Sequence, residues 1–311
     1  MAKYEGKDPY TDPQSGTMKN RLGVKDQNEL DRTEAAFAAV RSIENARTPI
    51  EGKFDLDHMK AIHARLFGDV YEWAGQVRNV DISKGDTRFA HFAAIERAAN
   101  GLTQQLAREG HLRGLDADEF SRRAGHYMGE LNVLHPFREG NGRTLREFVG
   151  QLADNAGYSI RWDRIDRDEM TRASINAYNG DSSHLANLIR NNLHDRDRDK
   201  ALEIAKHAAG DKVQLERAEP GKSYSGRVVG ETERYVVQER EGQPGQMVLH
   251  NRRSLSGEAD KFRGKDVEIR YPHGDVGLVR DASRGKEAGR DRQHEQQHQA
   301  GNRQKSNERE K

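Results

Sequence analysis

Residues 135–146 read His-Pro-Phe-Arg-Glu-Gly-Asn-Gly-Arg-Thr-Leu-Arg, and their types and spacing could do chemistry together. His135 is a candidate general base: a neutral imidazole accepts a proton from a hydroxyl near neutral pH. Glu139 offers one carboxylate for an oxygen-seeking cation such as Mg2+. Gly140, Asn141 and Gly142 form a turn in which backbone N–H groups can converge on an anion without side chains in the way. A helix beginning near Arg143 would add its own unpaired N–H groups and the positive end of its dipole. Arg143 and Arg146 are three apart and so share a helical face, where two guanidiniums can grip phosphate oxygens. The set suits a site that holds a nucleoside triphosphate and activates a hydroxyl against it.

Two amphipathic helices must position this loop. Phe120, Ala124, Tyr127, Leu131 and Leu134 mark the one that enters it, and Leu145, Phe148, Val149 and Leu152 the one that leaves it, ending near Ala156-Gly157. Before them, Leu30, Phe37, Val40 and Ile43 predict an amphipathic helix over 28–47 with that stripe turned to the core. A short helix is expected at 55–67, a strand at 76–83 and a hairpin turn at Lys84-Gly-Asp-Thr87. A further helix carries Phe92, Ile95, Ala99, Leu102 and Leu106, and two more are expected at 166–178 and 182–192. After Gly210 the period changes to short Val-, Tyr- and Ile-bearing segments broken by Gly-Gln-Pro-Gly and Pro-His-Gly-Asp, which suggests a small antiparallel β unit, a five-stranded OB-like barrel. Tyr224, Tyr235 and Tyr271 are read there as packing residues. The expected architecture is mainly α with a β-hairpin over residues 1–205, a small all-β domain over 212–282, and a charged, disordered tail over 283–311.

Composition narrows the class. The chain of 311 residues has a net charge of +1 and no cysteine, so neither disulfides nor thiolate chemistry are available. The balanced charge, with no run of aromatic residues interleaved with basic ones in the β unit, gives no reason to expect a nucleic-acid partner. No apolar run approaches a membrane span, and the N-terminus lacks the apolar core of a signal peptide, so a start in the cytoplasm is expected.

The run from His135 to Arg146 resembles the signature of the Fic family, His-x-Phe-x-Asp/Glu-Gly-Asn-Gly-Arg-x-x-Arg, at every defined position. The segment from Phe54 to Arg78 is also similar to the region ahead of the active site in bacterial Fic proteins, and the resemblance covers roughly residues 1–195. It looks closest to the toxin-like and secreted-effector branch. The resemblance implies protein adenylylation: AMP moves from ATP to a Ser, Thr or Tyr hydroxyl of a target protein, and pyrophosphate leaves. It assigns His135 as base, Glu139 as Mg2+ ligand, and Gly140, Asn141, Gly142, Arg143 and Arg146 as ATP-binding residues. In that scheme Asn141 adds a side-chain donor to the α-phosphate, Arg143 reaches the β-phosphate and Arg146 the γ-phosphate. Phe137 is an apolar anchor. Residues 76–92 match the family's flap, beside which a target segment docks as an added strand; Ile82 and Phe89 are the candidate clamps. Tyr178 and Asn179 fall where the family contacts adenine.

Two rival readings remain open at this level. Some relatives use other nucleotide donors, such as GTP, CDP-choline or UDP-sugars; others, with Lys in place of Gly142, transfer phosphate. A silent adaptor acting through its β domain is the non-enzymatic alternative. Many Fic proteins are blocked by a helix bearing Ser/Thr-x-x-x-Glu-Gly/Asn, whose Glu pairs with the second motif arginine. That pattern is missing from the chain: Ser254-Leu-Ser-Gly-Glu258 has the spacing but is followed by Ala259. The resemblance therefore implies a small inhibitory partner acting in trans. Targets in the family include type II topoisomerases and small GTPases, and localisation follows the branch: bacterial cytoplasm, or delivery into a recipient cell by a type IV system.

Overall fold

The computed structural model describes residues 2–3, 8–256 and 261–282, so the tail expected at 283–311 lies outside the described residues. The chain divides into two compact units, 1–195 and 196–311.

The first unit is helical. Its elements run β1 (Ala2–Lys3), α1 (Gln27–Arg47), α2 (Leu56–Phe67), β2 (Ser83–Lys84), β3 (Thr87–Arg88), α3 (Ile95–Arg108), α4 (Ala117–Leu134), α5 (Asn141–Asn155), β4 (Tyr158–Ile160), α6 (Arg167–Tyr178), α7 (Ser183–Asn191) and β5 (Leu193–Asp195). Aspartate caps start α1, α2, α4 and α6, each accepting a backbone N–H from the first turn, as Asp116 does from Asp118 and Glu119. The apolar stripes of α4 and α5 bury Phe120, Ala124, Tyr127, Leu131, Phe148, Val149 and Leu152 in one core with Met59, Ile62, Leu66 and Phe67 of α2. Gly125 lets α4 approach α7 closely, since a Cβ there would lie 2.7 Å from the backbone N of Ala186. The hairpin forms as expected, with Ser83 opposite Arg88 and Lys84 opposite Thr87, and β1 pairs antiparallel with β2 on its outer side.

Two expectations need correction. The stripe read along α1 faces the wrong way: Leu30 and Ala38 are buried, but Phe37, Val40 and Ile43 are exposed, Ile43 to 57%. The inward face is partly polar instead, with Glu34 and Asn45 buried because each has a partner on another element. The strand expected over 76–83 is confined to its last residue, Ser83. The stretch before it is held by hydrogen bonds of Arg78 to four carbonyls rather than by a ladder.

The second unit opens with α8 (Arg196–Ala209), followed by β6 (Gln214–Arg217), β7 (Ser223–Glu231), β8 (Tyr235–Glu239), β9 (Gln246–Asn251), β10 (Leu255–Ser256), β11 (Asp266–Arg270) and β12 (Gly277–Asp281). The boundary expected after 205 thus falls at 195/196, because Ala201 and Ala205 of α8 pack with Tyr235, Val237, Met247 and Leu249. The strands form one seven-stranded sheet in the order β10-β12-β11-β7-β8-β9-β6, rather than five strands closed into a barrel. β7 is long enough to serve both halves: residues 223–227 pair with β11 and 228–231 with β8. Tyr224, Tyr235 and Tyr271 are buried, as packing residues should be. His250 donates and accepts within a closed set: Nδ1 lies 2.8 Å from the Tyr271 hydroxyl and Nε2 3.0 Å from Gln238 Oε1. Gln238 Nε2 then donates to the carbonyls of Gly226 and Val267. A fully satisfied set of this kind specifies a core and needs no ligand.

Candidate active site

The loop 135–140 joins the C-terminus of α4 to the N-terminus of α5, and each end is prepared before any ligand arrives. His135 stands just past α4 in the left-handed region, at φ 46° and ψ 62°, which is uncommon for a residue other than glycine. A helix leaves its last carbonyls without intrahelical partners. Here all four find one. Leu131 O accepts the His135 N–H at 3.2 Å, and Asn132 O accepts His135 Nδ1–H at 3.1 Å. Val133 O accepts the Ala90 N–H at 3.1 Å, and Leu134 O accepts Arg78 Nη2–H at 3.1 Å.

The Asn132 contact fixes the imidazole's chemistry. A carbonyl can only accept, so Nδ1 carries the hydrogen and Nε2 keeps its lone pair for a proton. Phe89 of the hairpin stacks on the ring, centroids 3.7 Å apart. Burial pushes the His135 pKa down to about 3, with the positive charges of Arg78 and Lys84 acting in the same direction. The ordinary value assumed from the sequence does not hold; the ring is neutral throughout the physiological range. Phe89 and Ile82 are both buried, and the Phe89 N–H donates to Ile82 O, so hairpin packing accounts for them. The Tyr178 hydroxyl donates to Arg88 O of β3 at 2.7 Å, tying α6 to the hairpin, while Asn179 is exposed at the end of α6.

At the other end, Gly140 sits at φ 79° with the Phe67 ring against it; a Cβ would come within 2.4 Å of that ring. Only glycine fits both conditions. α5 then begins at Asn141, and no side chain caps its first turn. Its leading N–H groups and the positive end of its dipole are left for an anion. The Asn141 side chain is not aimed at such an anion, contrary to expectation. Its Oδ1 accepts the Phe137 N–H at 2.8 Å and its Nδ2 donates to Phe137 O at 2.7 Å, so it staples the loop. Phe137 is the anchor expected, fully buried and stacked on His63 at 4.0 Å.

Glu139 keeps its carboxylate at the loop surface, with Oε1 accepting the Gly140 N–H at 3.0 Å. Among the described residues no group of three or more His, Cys, Asp or Glu side chains could hold a metal on its own. A lone carboxylate beside an anion cradle fits a cation of the Mg2+ type, which keeps waters and shares phosphate oxygens. The two arginines differ in state. Arg143 pairs with the buried Glu34 of α1, which also accepts the Tyr71 hydroxyl, and its guanidinium lies 4.6 Å over the Phe67 ring. Arg146 makes no hydrogen bond or ion pair among the described residues. Burial, with Arg143 and Arg167 nearby, lowers its pKa, which marks a cation short of negative charge.

Sequence reasoning missed the residues that hold the loop from outside. His63 accepts the Gly75 N–H at Nδ1 and donates from Nε2 to Glu139 O at 3.0 Å, and burial pushes its pKa down to about 4. Its position beside Ile62 on the buried face of α2 was a usable signal. Arg138, at one of the two undefined positions of the loop, is buried in an ion pair with Asp8 at 2.6 Å. Nothing in the pattern around Arg78 or Glu34 foretold their burial.

Comparison with known proteins identifies relatives of both units. Residues 53–153 match the Fic/DOC family, and residues 223–280 match the KfrB domain. The chain is 67% identical over 194 residues to protein adenylyltransferase VbhT of Bartonella schoenbuchensis, a match that covers 62% of this chain and only 41% of that protein. It is 41% identical over 181 residues to the probable protein adenylyltransferase Fic of Escherichia coli, covering 58% of this chain and 90% of the relative. Among solved structures, the N-terminal Fic domain of a VirB-translocated effector from Bartonella quintana, with bound ADP, superposes with a TM-score of 0.57 at 31% identity, over 61% of this chain and 96% of that one.

Proposed function

This chain belongs to the Fic/DOC family, and on that premise we infer that it is a protein adenylyltransferase, moving AMP from ATP to a Ser, Thr or Tyr hydroxyl of a target protein. The observation that carries the reading is the state of His135: Nδ1 is committed to Asn132 O, so Nε2 is a free acceptor, on the loop that leads into an uncapped helix N-terminus. In the reaction, His135 Nε2 takes the proton of the target hydroxyl as its oxygen bonds to the α-phosphorus. The bond from that phosphorus to the bridging oxygen breaks, and the β- and γ-phosphates leave as pyrophosphate. The N–H groups opening α5 face the charge that builds on the α-phosphate. Arg143 serves the β-phosphate, already oriented by Glu34, and Arg146 the γ-phosphate, for which its lack of an anionic partner among the described residues suits it. Mg2+ held by Glu139 would neutralise phosphate charge.

The first test is a label. With protein target present, ATP labelled at the α-phosphate should mark the target, and ATP labelled at the γ-phosphate should not. Label from γ alone would mean phosphorylation, and label from neither would favour the silent adaptor.

Regulation follows from Arg146. Among the described residues, Glu34 pairs with Arg143 and not with Arg146. The reading is that a small partner protein supplies a glutamate to Arg146 and blocks the γ-phosphate subsite. Among the described residues no helix is long and apolar enough to cross a membrane. Action in the bacterial cytoplasm, or after passage through a type IV system, is part of the same proposal, as is a topoisomerase or small GTPase as target.

A further inference from the structure

Arg78 lies outside the loop and its guanidinium is fully buried; among the described residues its carboxylate partner is Asp81, at 3.9 Å, an ion pair longer than a hydrogen bond. Its bonds go to four carbonyls on three segments. Nε donates to His135 O at 2.8 Å and Nη2 to Leu134 O at 3.1 Å, at the end of α4. Nη1 donates to Val80 O and Nη2 also to Ala90 O, on the two sides of the hairpin. The Arg78 backbone N–H donates to Pro136 O at 2.9 Å. Burying a cation is expensive, and burial lowers the Arg78 pKa to about 10 even though Asp81 acts against the shift. No neutral side chain carries enough N–H donors to reach all four carbonyls. What a cation adds is attraction to the negative end of the α4 dipole, where His135 is held in the left-handed conformation.

We propose that Arg78 is a positioning residue for the transfer reaction: one guanidinium fixes the backbone that aims His135 and, with the same group, the hairpin whose Phe89 stacks on that ring. The inference rests on His135 being the base. Through Arg78 the base and the hairpin move as one body, so a target segment seated along the hairpin meets an imidazole already in register. The phosphate end of the loop is held separately, by Asn141, His63 and Glu34. Loss of Arg78 should therefore leave nucleotide binding alone and slow the chemical step.

The test uses Arg78→Lys and Arg78→Gln in the full chain, beside His135→Ala. Lysine keeps the charge but cannot fork to four carbonyls. Folding is followed by thermal unfolding, ATP affinity by calorimetry, and kcat and KM for target labelling by single-turnover and steady-state assays. Arg78→Lys is expected to lower kcat by about 10-fold or more, as a displaced catalytic group does, with ATP affinity within about twofold of wild type. Arg78→Gln should fall further; if it does not fold, the lysine variant carries the test. A folded lysine variant with wild-type kcat would overturn the proposal, as would a parallel loss of ATP affinity and kcat, which is the mark of a general scaffold role. Should His135→Ala keep its activity, the base assignment itself fails, an outcome distinct from either.

Discussion

At the base end of the loop, Arg78 reaches across 57 positions of sequence to grip the His135 carbonyl; at the phosphate end, Asn141 closes onto Phe137 only four residues away. The base end depends on the last turn of α4, the hairpin and the buried cation that the hairpin's leading side supplies. The phosphate end has a local part, a left-handed glycine, a helix start and a side-chain staple, with two distant holds, His63 on the Glu139 carbonyl and Glu34 on Arg143. A helix N-terminus attracts anions wherever it occurs, so binding phosphate demands little of the rest of the fold. Aiming a lone pair at an incoming hydroxyl demands tenths of an ångström, and that accuracy comes from packing.

The sharpest way to separate the two ends is His135→Ala. Transfer should fall by about 10²–10⁴-fold while ATP affinity stays near wild type, because a positioned base acts on the hydroxyl alone. Transfer above about a hundredth of the wild-type rate would remove His135 from the role of base. Next in size, Arg146→Ala should weaken ATP by about 10- to 100-fold, the worth of a hydrogen bond to a charged group, and spare AMP. Calorimetry with both nucleotides decides, and equal losses would refute the γ-phosphate assignment.

A smaller effect is expected from Gly140→Ala. The added methyl meets the Phe67 ring at a positive φ, and unfolding in urea should show a loss of about 1–3 kcal/mol. A stability unchanged from wild type would mean that the loop can shift, and that the phosphate end is less rigid than described. The pH dependence of stability tests both ends together. His135 is pushed down to about 3, His63 to about 4 and His250 to about 3 by burial. Between an unfolded value of about 6.5 and those folded values, the unfolded chain binds more protons than the folded one. Stability is therefore complete above that range and is lost as pH falls through it. The urea midpoint should drop steadily below pH ~6.5, and less steeply in His135→Ala. A slope that does not change in that variant would place His135 in a wetter setting than its stacked ring implies.

Much of this was legible beforehand. The stripes of α4 and α5 are strict, and both helices lie where the periodicity puts them. The motif between them names its own chemistry. The stripe of α1 misled because Phe37, Val40 and Ile43 also fall at helical spacing, and spacing alone does not say which face is turned inward. Only the partners of Glu34 and Asn45, on α5 and beside it, reveal that the inner face is partly polar. Asn141 misled for a related reason: an amide in an anion-binding loop can serve the anion or the loop, and the choice depends on where the Phe137 backbone lies.

The sequence by itself determined the helices that flank the loop, the glycine between them and the set of groups gathered in it. Those follow from local rules, period and backbone freedom, which act over a few residues. The tertiary structure decided which nitrogen of His135 is free, that its pKa is depressed, that Arg143 is tethered while Arg146 is not, and that Arg78 binds base and hairpin together. Each of these depends on burial and on partners far away in sequence, and electrostatic interactions in a low-dielectric interior are set by distance in space, which no local pattern records.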